Sequence, residues 1–116
     1  MRHEHFEILA GRWDVTAAKE LVKGRTPNTD LNVKQTASWL SLVHVDEERV
    51  MTDEIDITVP VILITIPCDN KEAHLPIDGW HRIAKAAKLG VQTIPGHVLT
   101  LEESDKVRLS PRVLRI

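Results

Sequence analysis

The chain has 116 residues, 42% hydrophobic and 28% charged, which is enough for one packed domain over residues 1–116 and argues against both two ordinary domains and intrinsic disorder. Fifteen basic against seventeen acidic residues leave a net charge of −2, so wholesale coating of nucleic acid is not expected. The longest apolar run, Val59 to Ile66, is far short of the ~20 residues of a membrane helix, and Cys68 as sole cysteine allows neither an internal disulfide nor a four-cysteine zinc site. Met1 to Glu7 alternates charged and hydrophobic residues instead of forming a secretory signal, so a cytoplasmic location with no membrane partner is the expectation.

His5 to Leu9 alternates and reads as a strand; Gly11 then breaks the pattern. Asp14 is placed to cap a helix over Val15 to Lys23, with Ala17, Ala18, Leu21 and Val22 at helical spacing and Gly24 as its stop. Thr26-Pro27-Asn28 turns the chain into a short strand at Leu31 to Lys34. Gln35 to Leu42 reads as a short helix whose inner stripe would hold Trp39, Leu40 and Val43, with an extended Leu42 to Val45 as the competing assignment. The acidic stretch Asp46 to Asp56 reads as a solvated loop. Val59 to Ile66 is β-branched on both alternating sets, as befits a central strand buried on two faces, with Pro60 at its start. Pro67 to Lys71 is turn chemistry, and His74 to Ile77 is a second strand reached by a hairpin. A helix from Trp80 to Leu89 ends at Gly90, with Trp80, Ile83, Ala84 and Ala87 facing inward. A strand over Thr93 to Leu99 and the capping box Thr100-Leu101-Glu102-Glu103 complete a small α/β (α+β) domain, a mixed sheet with flanking helices.

Charge is unevenly spread. Asp46 to Asp56 holds six carboxylates against Arg49 alone, whereas from Gly79 to Leu101 the charged residues Arg82, Lys85 and Lys88 are all basic. The tail adds Lys106, Arg108, Arg112 and Arg115, a solvated end or a strip facing nucleic acid. In Leu75-Pro76-Ile77-Asp78-Gly79-Trp80-His81-Arg82 a strand stops at a glycine where a helix begins, so unpaired N–H groups and the positive end of the helix dipole meet at one spot suited to an anion. Arg82 adds a planar two-pronged donor, and Asp78 is placed to cap the helix, hold a metal or orient Arg82. A plain junction with a solvated arginine and a core Trp80 is the competing assignment. His3 and His5 read as a strand end rather than a metal pair, and His44, His74 and His97 as surface or satisfied core. Esterase, phosphate-loop and dinucleotide fingerprints are absent from the sequence.

The ordered set Asp78-Gly79-Trp80-His81-Arg82, Ala86-Ala87, Gly90 and Ile94-Pro95, preceded by Pro60-Val61-Ile62-Leu63, resembles the pattern of the ParB N-terminal-like and sulfiredoxin-like superfamily over residues 59 to 108. The resemblance implies a bacterial-type fold that binds a nucleotide or phosphorylated small molecule. Asp78, Gly79, His81 and Arg82 would form the site, with a nucleoside triphosphate and Mg2+ as the implied cofactors. NTP hydrolysis and phosphoryl transfer are the reactions open to such a domain, and a carboxylate of Asp46 to Asp56 would be the natural metal ligand or general base. Trp80 stands where sulfiredoxin has its reactive cysteine, and no helix-turn-helix domain follows, so sulfinic acid reduction and operator reading are not expected. The alternative is a non-catalytic adaptor touching DNA weakly and without sequence preference through its basic residues. Catalytic residues and oligomeric state are not specified by the sequence.

Overall fold

In the computed structural model, which describes residues 4–8 and 11–109, the chain begins with an antiparallel hairpin of His5–Ile8 (β1) and Gly11–Asp14 (β2). Gly11 therefore opens a strand where the sequence pattern suggested a break. The Trp13 ring lies against it so closely that a Cβ at this position would collide with the indole. Asp14 ends β2 and caps Val15–Val22 (α1), its Oδ1 accepting the Ala17 N–H at 2.9 Å. Val15, Ala18 and Val22 are the buried stripe of this helix.

Thr29–Asn32 (β3) is followed at once by Val33–Ala37 (α2). The strand expected to run to Lys34 stops at Asn32 because the Asn32 Oδ1 accepts the Gln35 N–H at 2.9 Å and starts a helix instead. A 3-10 turn at Leu40–Leu42 comes next, and Trp39 is 43% exposed rather than part of an inner stripe. The acidic stretch is not a plain loop: Asp46 caps Glu47–Val50 (α3), whose Val50 is wholly buried beneath the exposed Glu47, Glu48 and Arg49.

Val61–Cys68 (β4) and Lys71–Asp78 (β5) form a hairpin, Trp80–Leu89 (α4) crosses back, and Thr93–Val98 (β6) precedes Leu101–Lys106 (α5). The order of these elements agrees with the sequence expectation. Pro67 and Cys68 stay in β4, however, because the turn needs only Asp69 and Asn70, both at positive φ (47° and 67°). Two consecutive residues of that conformation match the twist of a hairpin, and Asp and Asn tolerate it best after glycine.

The main sheet has the order β3-β6-β4-β5, with β4 parallel to β6 and antiparallel to β5, and β3 antiparallel to β6. This is the mixed sheet of an α+β fold. β4 is interior, and its residues Val61 to Thr65 are each at most 3% exposed, as its two-sided apolar pattern requires. Thr65 is the polar member of that run and is satisfied: its N–H donates to Ser104 Oγ at 2.8 Å and its hydroxyl to the Leu99 carbonyl at 2.8 Å. Ser104 in turn donates to the Thr100 carbonyl, and the Thr100–Glu103 capping box is formed in full. Beyond α5 Arg108 does not simply extend into solvent. Arg108 bridges to Trp13 and stacks its guanidinium 5.4 Å from the indole centroid, while Leu109 N–H donates to the Arg12 carbonyl. Arg112 and Arg115 lie outside the described residues, as does His3. No helix among the described residues is long and apolar enough to cross a membrane.

Candidate functional site

The β5–α4 junction is built by packing. Gly79 is the N-cap of α4 at φ 104°, a left-handed conformation, and a Cβ there would collide with the Val61 side chain. Only glycine meets both demands. Trp80 begins the helix 5% exposed, its indole N–H donating to the Pro76 carbonyl at 2.9 Å and its ring stacked on Phe6 at 6.3 Å. Ile83, Ala84 and Ala86 continue the buried face; Ala87, expected inward, is exposed because the last turn of α4 projects beyond that packing, and Ala86 takes its place.

The polar face of α4 is committed to the chain's own residues 46–60. The Arg82 guanidinium donates through Nη1 to the carbonyls of Val59 (3.0 Å) and Pro60 (2.6 Å) and through Nη2 to Asp78 Oδ2 (3.0 Å). Asp78 is thus the partner of Arg82, not the cap that its position suggested. Lys85 Nζ donates to the Thr52 and Ile55 carbonyls at 2.9 and 2.7 Å, and Lys88 faces Glu47 at 3.4 Å. His81 accepts, its Nε2 taking the Asp46 N–H at 3.0 Å. An imidazole that accepts through Nε2 is neutral with its proton on Nδ1. The His81 pKa is accordingly pushed below its ordinary value, first by burial and then by the Arg49 and His44 charges, against the opposite pull of Asp46 and Glu47. The acidic stretch and the basic helix face are two halves of one contact, in which α3 packs on α4 and buried Val50 and Ile55 add apolar anchors.

Acids do lie beside the turn: Asp78 on Arg82, Asp46, whose main-chain N–H meets His81 while its carboxylate accepts the Glu48 N–H, and Asp56, whose pKa is lowered first by its bonds from Thr58 and further by Lys85 and Arg82. No group of three or more His, Cys, Asp or Glu among the described residues is placed to hold a metal ion.

A second place, unmarked in the sequence reading, has the shape of a ligand site. A cleft of about 490 Å³ opens between β3, α2 and the β4–β5 hairpin. Its floor is apolar, with Leu31, Leu63 and Pro76, and half-exposed Trp39 lines one side. Thr29, Gln35 and His74 supply polar groups. The pairing of Leu63 with Pro76 and of Thr65 with His74 puts the Leu63, Pro76 and His74 side chains on one face of the sheet. The available signal was Trp39 itself, an aromatic residue among Gln35, Thr36 and Ser38 that fits a core stripe poorly. No family model matches the chain, and no curated protein or solved structure matches it significantly.

Proposed function

We propose that this domain binds a small organic ligand in the cleft beside Trp39. The observation that carries the reading is the cleft itself, whose volume of about 490 Å³, apolar floor and few polar groups have the make-up of small-molecule sites. A large indole held 43% exposed on such a cleft is a ready stacking surface for a planar ligand. Screening a fragment library by saturation-transfer NMR, with Trp39→Ala as the control, tests it: binders should be found for the natural chain and lost with the indole. Binders that survive Trp39→Ala would refute this location.

A nucleotide or phosphorylated small molecule at Asp78, Gly79, His81 and Arg82, with Mg2+, is the second reading. Its support is the start of α4: Gly79 has no side chain with which to cap it, and the first N–H groups of a helix lack intrahelical acceptors. It requires Arg82 to exchange the Val59 and Pro60 carbonyls for phosphate oxygens. Titrating ATP and CTP with Mg2+ while following the amide resonances of Gly79 to Arg82 decides it, since shifts confined to that turn would favour phosphate binding there. The adaptor reading, with weak DNA contact through Arg82, Lys85, Lys88, Lys106, Arg108, Arg112 and Arg115, predicts gel shifts that vanish as salt rises.

A further inference from the structure

The hydrogen bonds of His74 fix which protons the cleft can accept. Thr65 Oγ1 lies 2.8 Å from the Leu99 carbonyl oxygen, a contact that needs a proton between the two oxygens, and the hydroxyl has only one. The 3.1 Å contact with His74 Nδ1 is therefore one in which the ring nitrogen donates and Thr65 Oγ1 accepts. Neutral His74 carries its proton on Nδ1, which leaves Nε2 a lone-pair acceptor, and no described residue donates to it. Strand register keeps charged side chains away from this acceptor. Thr29, Leu31, Leu63, Pro76 and His74 share one face of the sheet, whereas Asp30 on β3 is turned to the other. Glu72 shares the His74 face but is exposed towards the hairpin turn and lies outside the lining, which holds no lysine or arginine. The polar side chains that accompany His74, Thr29 and Gln35, are uncharged.

The geometry points to an uncharged aromatic ligand that carries an O–H or N–H donor, such as a phenol or an N–H heterocycle, with its ring on the Leu63 and Pro76 floor beside Trp39 and its proton on His74 Nε2. This rests on the small-ligand reading of the cleft and deepens it. His74 and Pro76 are two residues apart on one strand face, about 7 Å, so one ring and its donor span them. A carboxylate, phosphate or ammonium would leave water for an apolar floor that no charged side chain of the lining faces.

Phenol and anisole share a ring and an oxygen and differ in the donor, so they isolate this property; benzoate and benzamidine add the two signs of charge. All are titrated over the same millimolar range, at about pH 8 to keep imidazole neutral, into the full-length 15N-labelled protein, with the Trp39 indole N–H and the Gln35 and His74 amides as readouts. Phenol should bind about fivefold tighter than anisole, the worth of one hydrogen bond near water, and benzoate and benzamidine no tighter than anisole. His74→Ala should bring phenol down to the affinity of anisole; His74 is exposed, so the substitution leaves the fold intact. Long-range 1H–15N correlation spectra of the His74 ring read the tautomer without any ligand and should show the proton on Nδ1. A proton on Nε2, equal binding of phenol and anisole, a phenol preference that survives His74→Ala, or tighter binding of either charged probe overturns the neutral donor-bearing class while a small-ligand cleft survives. If no probe moves the cleft resonances, that class is overturned; if the fragment screen also finds no binder dependent on Trp39, the cleft reading falls with it.

Discussion

Replacing Arg82 with alanine separates a brace from a ligand contact by the sign of one measurement. The guanidinium is 16% exposed and makes three bonds, to the Val59 and Pro60 carbonyls and to Asp78, whose carboxylate is 18% exposed. A bond to a charged group contributes about 1.5–3 kcal/mol, and bonds from one side chain add less than fully, so the loss is about 3 kcal/mol. That is a large share of the roughly 5–15 kcal/mol that holds a domain together. For a chain of this length it amounts to a fall in Tm of about 12 °C. Arg82→Lys should recover only part of it, since an ammonium cannot fork to two carbonyls and a carboxylate at once. Urea denaturation followed by circular dichroism gives the free energy, and a cycle with Asp78→Asn isolates the ion pair within it. A cation held ready for an anion is usually neutral or costly for stability, so its removal leaves the fold as stable or more so. An Arg82→Ala variant within about 0.5 kcal/mol of the natural chain would therefore refute the brace.

Gly79→Ala should destabilise by about 3–5 kcal/mol, the sum of left-handed strain and overpacking on Val61. Gly24→Ala, at φ 81° with nothing within 4 Å of a new Cβ, carries the strain alone and should lose about 1 kcal/mol in the same denaturation assay; equal losses would remove Val61 from the explanation. Ser104→Ala strands the buried Thr65 N–H and should lose about 1–3 kcal/mol, read as a lower urea midpoint at constant slope. Because His81 has a lowered pKa, the unfolded chain binds more protons between that value and 6.5, so stability should fall as pH drops through this window and level off below it. Buried His97, lowered by burial and by Arg25, acts in the same direction, so His81→Gln should reduce the slope without abolishing it, and an unaltered slope would count against the Asp46–His81 bond.

The elements most legible in the sequence are those whose signals are local and redundant. Asp14, Gly90 and the Thr100–Glu103 box mark helix ends by their own hydrogen bonds, and β4 declares two-sided burial by being β-branched on both alternating sets. Two local signals were nevertheless misjudged. Gly11 is required because a Cβ would meet the Trp13 ring, not because a strand breaks there, and Asn32 ends its strand by capping α2 with its own side chain. The cleft was illegible for a different reason: Trp39, Leu63 and His74 come to line it only through the sheet order and the β4–β5 hairpin.

The α4 junction shows how a correct local inference leaves its purpose open. Glycine before a helix, an arginine in the first turn and a wholly basic polar face are what an anion site requires, and each of these features is present. The same features are required for covering a helix with a segment that exposes backbone carbonyls. Residues 52–60 turn four of their carbonyl oxygens toward Arg82 and Lys85. Those oxygens carry partial negative charge and need donors as much as a phosphate does. A sequence displays the donors of both arrangements and conceals the acceptors, because backbone carbonyls belong to every residue alike. Aspartates and glutamates in Asp46 to Asp56 drew attention to the right segment through their charge, although the contact is made chiefly by its main chain. The basic face of α4 therefore has a sufficient structural cause in residues 46–60, and its cations become available to an anion only if that segment gives them up.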